Sequence, residues 1–132
     1  MYKDLSQGIK ISITRSITTA FEQYMMNIRW NENKYNLEDF ISEWKGYITK
    51  HSSWYDKIDA NMKADPAFHE ELAVKINETL DKLLTEKPTA DQMNEIDELQ
   101  EKLGAEYDYS CKLEAKFLID TLKEELKKKQ SN

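Results

Sequence analysis

Residues able to do covalent or metal chemistry are few in this chain: one cysteine, Cys111, and two histidines, His51 and His69, among 25 Asp and Glu. A cysteine nucleophile needs a neighbouring base or a positive field to form its thiolate. Cys111 stands instead in Tyr109-Ser110-Cys111-Lys112, on or near an apolar helical seam. A small buried hydrophobe is the expected role there. Carboxylate-bridged metal pairs in helical bundles need Glu-x-x-His, and neither histidine has a glutamate three residues before it. His69-Glu70 runs into Glu71-Leu72-Ala73, so the H-E-x-x-H zinc pattern is absent as well. A structural zinc site would gather several Cys and His. Both histidines lie among polar neighbours and read as surface residues. With so many carboxylates, close pairs on a helix face arise by number alone, and nothing marks one as acid and another as base. The sequence assigns no catalytic residue, no metal ligand and no cofactor.

Charge is more informative. The formal net charge is −6, and it is unevenly spread. Residues 1–50 carry seven Lys/Arg against six Asp/Glu, a net +1, and residues 51–132 carry twelve against nineteen, a net −7. Between residues 91 and 108, Asp91, Glu95, Asp97, Glu98, Glu101, Glu106 and Asp108 face only Lys102. Such a surface repels phosphate backbones, which require clustered Lys/Arg, so direct nucleic-acid binding is not expected. It suits a basic protein partner, whose approach it would steer. The Lys127-Lys128-Lys129 run is short and also suits a helix C-terminus.

Aromatic residues are the second anomaly. Three Trp and seven Tyr exceed what one apolar stripe absorbs. Trp54 and Tyr55 are adjacent, so on a helix they point about 100° apart. Tyr107 and Tyr109, two residues apart, diverge by about 200°, so at least one lies off the stripe. Aromatics are enriched among interface anchors. The expected partner-binding set is therefore Trp54, Tyr55, Asp97, Glu98, Glu101 and Tyr107.

The elements that must position these residues are helical. Three glycines and two prolines in 132 residues leave little for the turns of a β or α/β protein. In residues 3–29, Leu5, Ile9, Ile13, Ile17, Phe21, Tyr24 and Ile28 fall on one helical face. Ile9, Ile11 and Ile13 also alternate as in a strand, but the alternation ends there, so the helix is expected. A polar connection over residues 30–35 leads to Asn36 at an N-cap position. Leu37, Phe40, Ile41, Trp44 and Ile48, then Trp54, Ile58 and Met62, predict a second helix bent near Ser52-Ser53. Asp65-Pro66 opens a third, carried by Phe68, Leu72, Ile76, Leu80 and Leu83 as far as Lys87-Pro88. Thr89-Ala90-Asp91-Gln92 is a capping box opening a fourth. Met93, Ile96, Leu99, Leu103, Tyr107, Leu118, Leu122 and Leu126 continue its face. Unbroken to Lys128, that helix would be about 58 Å long, and Gly104 is the expected point of division.

The expectation is one all-α domain over residues 1–132, a compact bundle of four main helices with a long C-terminal helix, or five if Gly104 divides the last. Residues 1–10 lack the features of a signal peptide, and no run approaches the roughly 18 apolar residues of a membrane span. A single thiol fits a reducing compartment. A cytoplasmic protein without membrane association is expected. The abundance of Lys, Asn, Ile and Tyr suggests an AT-rich coding sequence, as in a low-GC bacterium or its phage. Functionally the profile is that of a small acidic protein that binds another protein and inhibits, protects or adapts it. Immunity proteins, anti-defence inhibitors and regulatory adaptors share this physical type. The rivals are a homodimer or larger homo-oligomer built on the long last helix, and a helical-bundle enzyme or ligand-binding protein with a polar pocket.

Overall fold

The structure, a computed structural model, describes residues 1–131, with side chains through Gln130. It is all-α, with seven α-helices and no strand among the described residues. The chain divides into two compact units, Met1–Asp81 and Lys82–Asn132.

In the first unit, a 3-10 turn at Tyr2–Asp4 precedes Gln7–Asn27 (α1). Ser6 caps α1 by accepting from the Ile9 N–H at 3.2 Å. The helical period prevails over the Ile9-Ile11-Ile13 alternation: Ile13, Ile17 and Phe21 are fully buried, Ile9 is half-buried, and Ile11 is exposed. Past α1 the chain turns without glycine. Arg29 and Trp30 both adopt φ of 54°, a conformation costing roughly 1–2 kcal/mol for an L-residue. The Trp30 N–H bonds to the Met25 carbonyl at 2.8 Å, and its ring meets Phe21 edge-on at 6.4 Å.

Leu37–His51 (α2) starts on the Asn36 cap, whose Oδ1 accepts from Asp39 N–H at 3.1 Å. The bent helix expected to follow through Met62 is instead three pieces: α2, Ser53–Asp56 (α3) and Ala60–Ala64 (α4). Ser52 is extended, at φ −110° and ψ 117°, which stops the i→i−4 ladder outright. Asp59 restarts the chain as the α4 cap. Pro66–Thr85 (α5) begins where Asp65-Pro66 predicts, with Asp65 Oδ1 accepting from Ala67 N–H at 2.9 Å.

Aromatic packing accounts for much of the Trp and Tyr surplus. Phe21 is ringed edge-on by Trp30, Tyr35 and Phe40, with Tyr24 against Tyr35 and Phe40. The Tyr24 hydroxyl accepts from Asn36 N–H at 3.0 Å, tying the α1–α2 connection to the core. Below this cluster Trp44 stacks on Trp54 at 6.2 Å, and Trp44 Nε1 donates to the buried Ser16 Oγ at 3.1 Å.

In the second unit the capping box forms as written: Gln92 N–H donates to Thr89 Oγ1, and Thr89 N–H to Gln92 Oε1, both at 3.0 Å. Ala90–Leu103 (α6) ends at Gly104, which is left-handed at φ 67° and ψ 35°. The chain resumes as Lys112–Ser131 (α7). Two helices thus replace the single 58 Å rod. They run parallel. Lys112 at the start of α7 donates its N–H to Glu86 O at 2.8 Å, and its carbonyl accepts from Gln92 Nε2 at 3.2 Å, both before or early in α6. Tyr107, just past the end of α6, reaches Glu125 near the end of α7. Parallel neighbours need a connection that runs back along the first helix. The 14 residues of α6 rise about 21 Å, and residues 104–111, when extended, cover up to about 27 Å. Ile96, Leu99, Ala115, Leu118, Ile119 and Leu122 form the core between the pair, with Leu103, Tyr109 and Leu126 at its margin.

Candidate functional site

The end of α6 and the returning segment bring two of the expected partner-binding residues together. Asp97 and Glu101 line a shallow depression with Gln100, Gly104, Ala105 and Glu106. Glu98, one position round from Asp97, is exposed beside them. Tyr107 follows directly. Its N–H donates to Gln100 Oε1 at 2.6 Å, its hydroxyl lies 3.5 Å from Glu125 Oε2, and its side chain is 41% exposed.

The electrostatics of this corner are unfavourable to the fold itself. A helix C-terminus carries the negative end of the helix dipole, so carboxylates there are destabilising. Glu101 sits in the last turn of α6. It is four residues from Asp97 and three from Glu98, and like charges at those spacings repel on a helix face. Elsewhere in the unit two carboxylates are ion-paired, Glu95 with Lys123 at 2.7 Å and Glu86 with Lys112 at 3.6 Å. Among the described residues, no cation lies within ion-pair distance of Asp97, Glu98, Glu101 or Glu106. Burial, reinforced by the Asp97 carboxylate, raises the pKa of the Tyr109 phenol above its ordinary value.

The other two aromatic candidates belong to the first unit and have different surroundings. Trp54, expected as a surface anchor, is a core residue only 2% exposed, stacked on Trp44. Its Nε1 is buried without a hydrogen-bond partner. Tyr55 is half-buried, edge-on to Trp54 at 5.8 Å, with Lys63 Nζ 4.3 Å above its ring centre. The 100° divergence of neighbours on a helix was legible. Which of the two turned inward depended on the Trp44 stack, which sequence spacing does not show.

The chemistry-bearing residues are dispersed. Cys111 is fully buried, and burial raises the pKa of its thiol. His51 is exposed and tilted against Tyr47 at 5.3 Å. His69 is exposed, with Nε2 donating to the Lys63 carbonyl, which fixes the proton on that nitrogen. Among the described residues no three His, Cys, Asp or Glu are grouped to hold a metal ion. No described helix is long and apolar enough to cross a membrane. Sequence reasoning missed Gln100, which pins the returning segment through the Tyr107 N–H. A glutamine on a polar helix face carries no signal of that role.

No protein-family model matches the chain, nor does any curated protein or any solved structure.

Proposed function

We propose that this is a non-enzymatic protein-binding protein that docks a basic surface of another protein on the acidic end of α6 and thereby inhibits, protects or adapts that partner. The observation that supports this reading is the set of unpaired carboxylates at the wrong end of a helix, placed beside a fixed and exposed tyrosine. Charge that opposes the fold is retained where it serves something else, and a basic partner would relieve it. The carboxylates would speed encounter, and Tyr107 would supply the apolar contact that slows release. The returning segment is held by the Gln100 side chain and by Gly104 N–H and Ala105 N–H on the Gln100 carbonyl. Tyr107 is therefore presented with little left to order on binding. The reading places the protein in the cytoplasm, with no cofactor and no nucleic acid.

The test is site-specific photocrosslinking in the native host, with a benzophenone amino acid replacing Tyr107 and, as control, replacing the exposed Val74. A discrete adduct from position 107, lost when Asp97, Glu98 and Glu101 are reversed to lysine, is the expected result. An adduct of the chain with itself would favour the homo-oligomer instead. Crosslinks no different from those at Val74 would contradict the proposal.

A further inference from the structure

On the first unit, the half of α1 that carries Ile11 forms one wall of an open groove of about 460 Å³. We propose that this groove docks an acidic amphipathic helix of a partner protein, as a second interaction surface opposite in sign to the first.

The shape of the groove comes from helical spacing. Gln7, Lys10, Ile11, Thr14, Arg15 and Thr18 line it, at steps of i, i+3, i+4, i+7, i+8 and i+11, which is one continuous face of a helix. That face runs roughly 16 Å, or three turns. Tyr2 and Lys75 of α5 complete the lining. A straight wall of that length beside a second helix suits the mode in which an amphipathic helix lays its apolar strip into a groove. Parts of the wall are fixed before binding. Tyr2 N–H donates to Glu71 Oε2 on α5 at 2.6 Å, and Lys10 Nζ donates to the Lys3 carbonyl at 2.8 Å.

Two features specify the occupant. The first is Ile11, which is 47% exposed within the stripe. Ile9 is half-buried and Ile13 fully buried, so core packing accounts for its neighbours and not for Ile11 itself. The half-buried Thr14 and Thr18 and the aliphatic stem of Arg15 continue an apolar strip one helix face wide.

The second feature is charge. The charged lining residues are Lys10, Arg15 and Lys75, with no Asp or Glu among them. Residues 1–81 as a whole carry ten Lys/Arg against thirteen Asp/Glu, a net −3, so the local sign runs against the average. Among the described residues no carboxylate lies within ion-pair distance of the three cations. Arg15 therefore keeps its fork of donors for bidentate pairing with a carboxylate. The net charge of −6 over the whole chain repels extended polyanions, phosphate backbones and anionic bilayers alike. A helix with glutamates beside its apolar strip meets the three cations locally, within the Debye length of about 8 Å. None of Asp97, Glu98, Glu101 and Tyr107 lines this groove, so the two surfaces stand or fall separately.

The experiment is a titration of the full ¹⁵N-labelled chain with two synthetic peptides of about 18 residues, long enough to hold helix in water. Both carry leucines at helical spacing; one flanks them with glutamates and the other with lysines. The glutamate peptide should shift the amides of residues 7–18 and of Lys75 saturably, and the lysine peptide should not. Arg15→Gln should weaken binding roughly three-fold, and Ile11→Ser roughly five-fold. Both positions are exposed, and far-UV circular dichroism checks that the variants remain folded. Lys45→Gln, on α2 and outside the groove, should bind as the parent does. Shifts spread over Lys45 and Lys63 as much as over α1, equal binding of the two peptides, or parent-like binding by both variants would overturn the proposal. So would movement of the same amides with the concentration of the chain alone, which assigns the groove to a second copy. A response to phosphatidylserine vesicles with none to the glutamate peptide would overturn it too, assigning the groove to a membrane.

Discussion

Glu101→Lys should make the protein more stable, and the reason is geometric. Glu101 lies in the last turn of α6, where the dipole favours a cation by about 0.3–1 kcal/mol. It also faces Asp97 at i−4 and Glu98 at i−3, so the reversal turns two repulsions into attractions of about 0.2–0.5 kcal/mol each. The contributions are screened at physiological salt, where the Debye length is about 8 Å. A net gain of about 1 kcal/mol is expected in low salt and roughly half that at 0.5 M salt. Urea unfolding followed by far-UV circular dichroism measures this directly. Glu106→Lys, beyond the end of α6, should gain less because it lacks the same helix-face neighbours. A loss of stability on Glu101→Lys would mean that Glu101 holds the fold together, and that its charge is not surplus available to a partner.

Other consequences follow from the backbone and the core. Gly104→Ala should destabilise by about 1 kcal/mol through the left-handed backbone alone, since an added Cβ meets nothing within 4 Å. Gly104→Asn should cost less, and equal stability for all three in thermal melts would mean that α6 does not end in this conformation. Ser16→Ala strands the Trp44 indole N–H and should cost about 1–3 kcal/mol in denaturant unfolding. Cys111 should react with a thiol reagent only as fast as the chain opens, and Cys111→Ser should leave partner binding intact. Because burial raises the folded-state pKa of that thiol above its ordinary 9.0, its contribution to stability is complete below pH 9 and declines above it, where the unfolded chain ionises first. Melts of the parent and of Cys111→Ala between pH 8 and 10 should diverge in that direction.

How far the sequence could be read depended on whether a feature was local. The Asn36 cap, the Asp65-Pro66 start and the Thr89/Gln92 box each act within four residues, and each appears where its chemistry predicts. The helical face of α1 was readable over the brief Ile9-Ile11-Ile13 alternation because it persists for five turns. The break at Ser52 was underestimated as a bend, since a serine pair has no fixed backbone preference and the stop is set by tertiary packing. Gly104 was legible as a division. The direction of the chain after it was not, because the apolar spacing of α7 is the same for a parallel or an antiparallel partner. What decides it is Lys112 bonding to Glu86 and Gln92, contacts that span 20 or more residues. The acidic corner was visible as composition, whereas its apposition to Tyr107 depended on Gln100.

Under the proposed function, the unpaired carboxylates at the end of α6 steer a basic protein partner. The most direct test is the association rate constant of the purified pair, measured across salt concentrations for the parent chain and for D97K/E98K/E101K. The triple reversal brings the formal net charge from −6 to about zero. Association should slow by about ten-fold or more near 0.05 M salt, and the two chains should converge as salt rises well past 0.15 M. Dissociation should change much less, while Tyr107→Ala should raise it strongly. Identical association rates with identical salt dependence for the parent and the triple variant would contradict the account, leaving the acidic face a solvated surface.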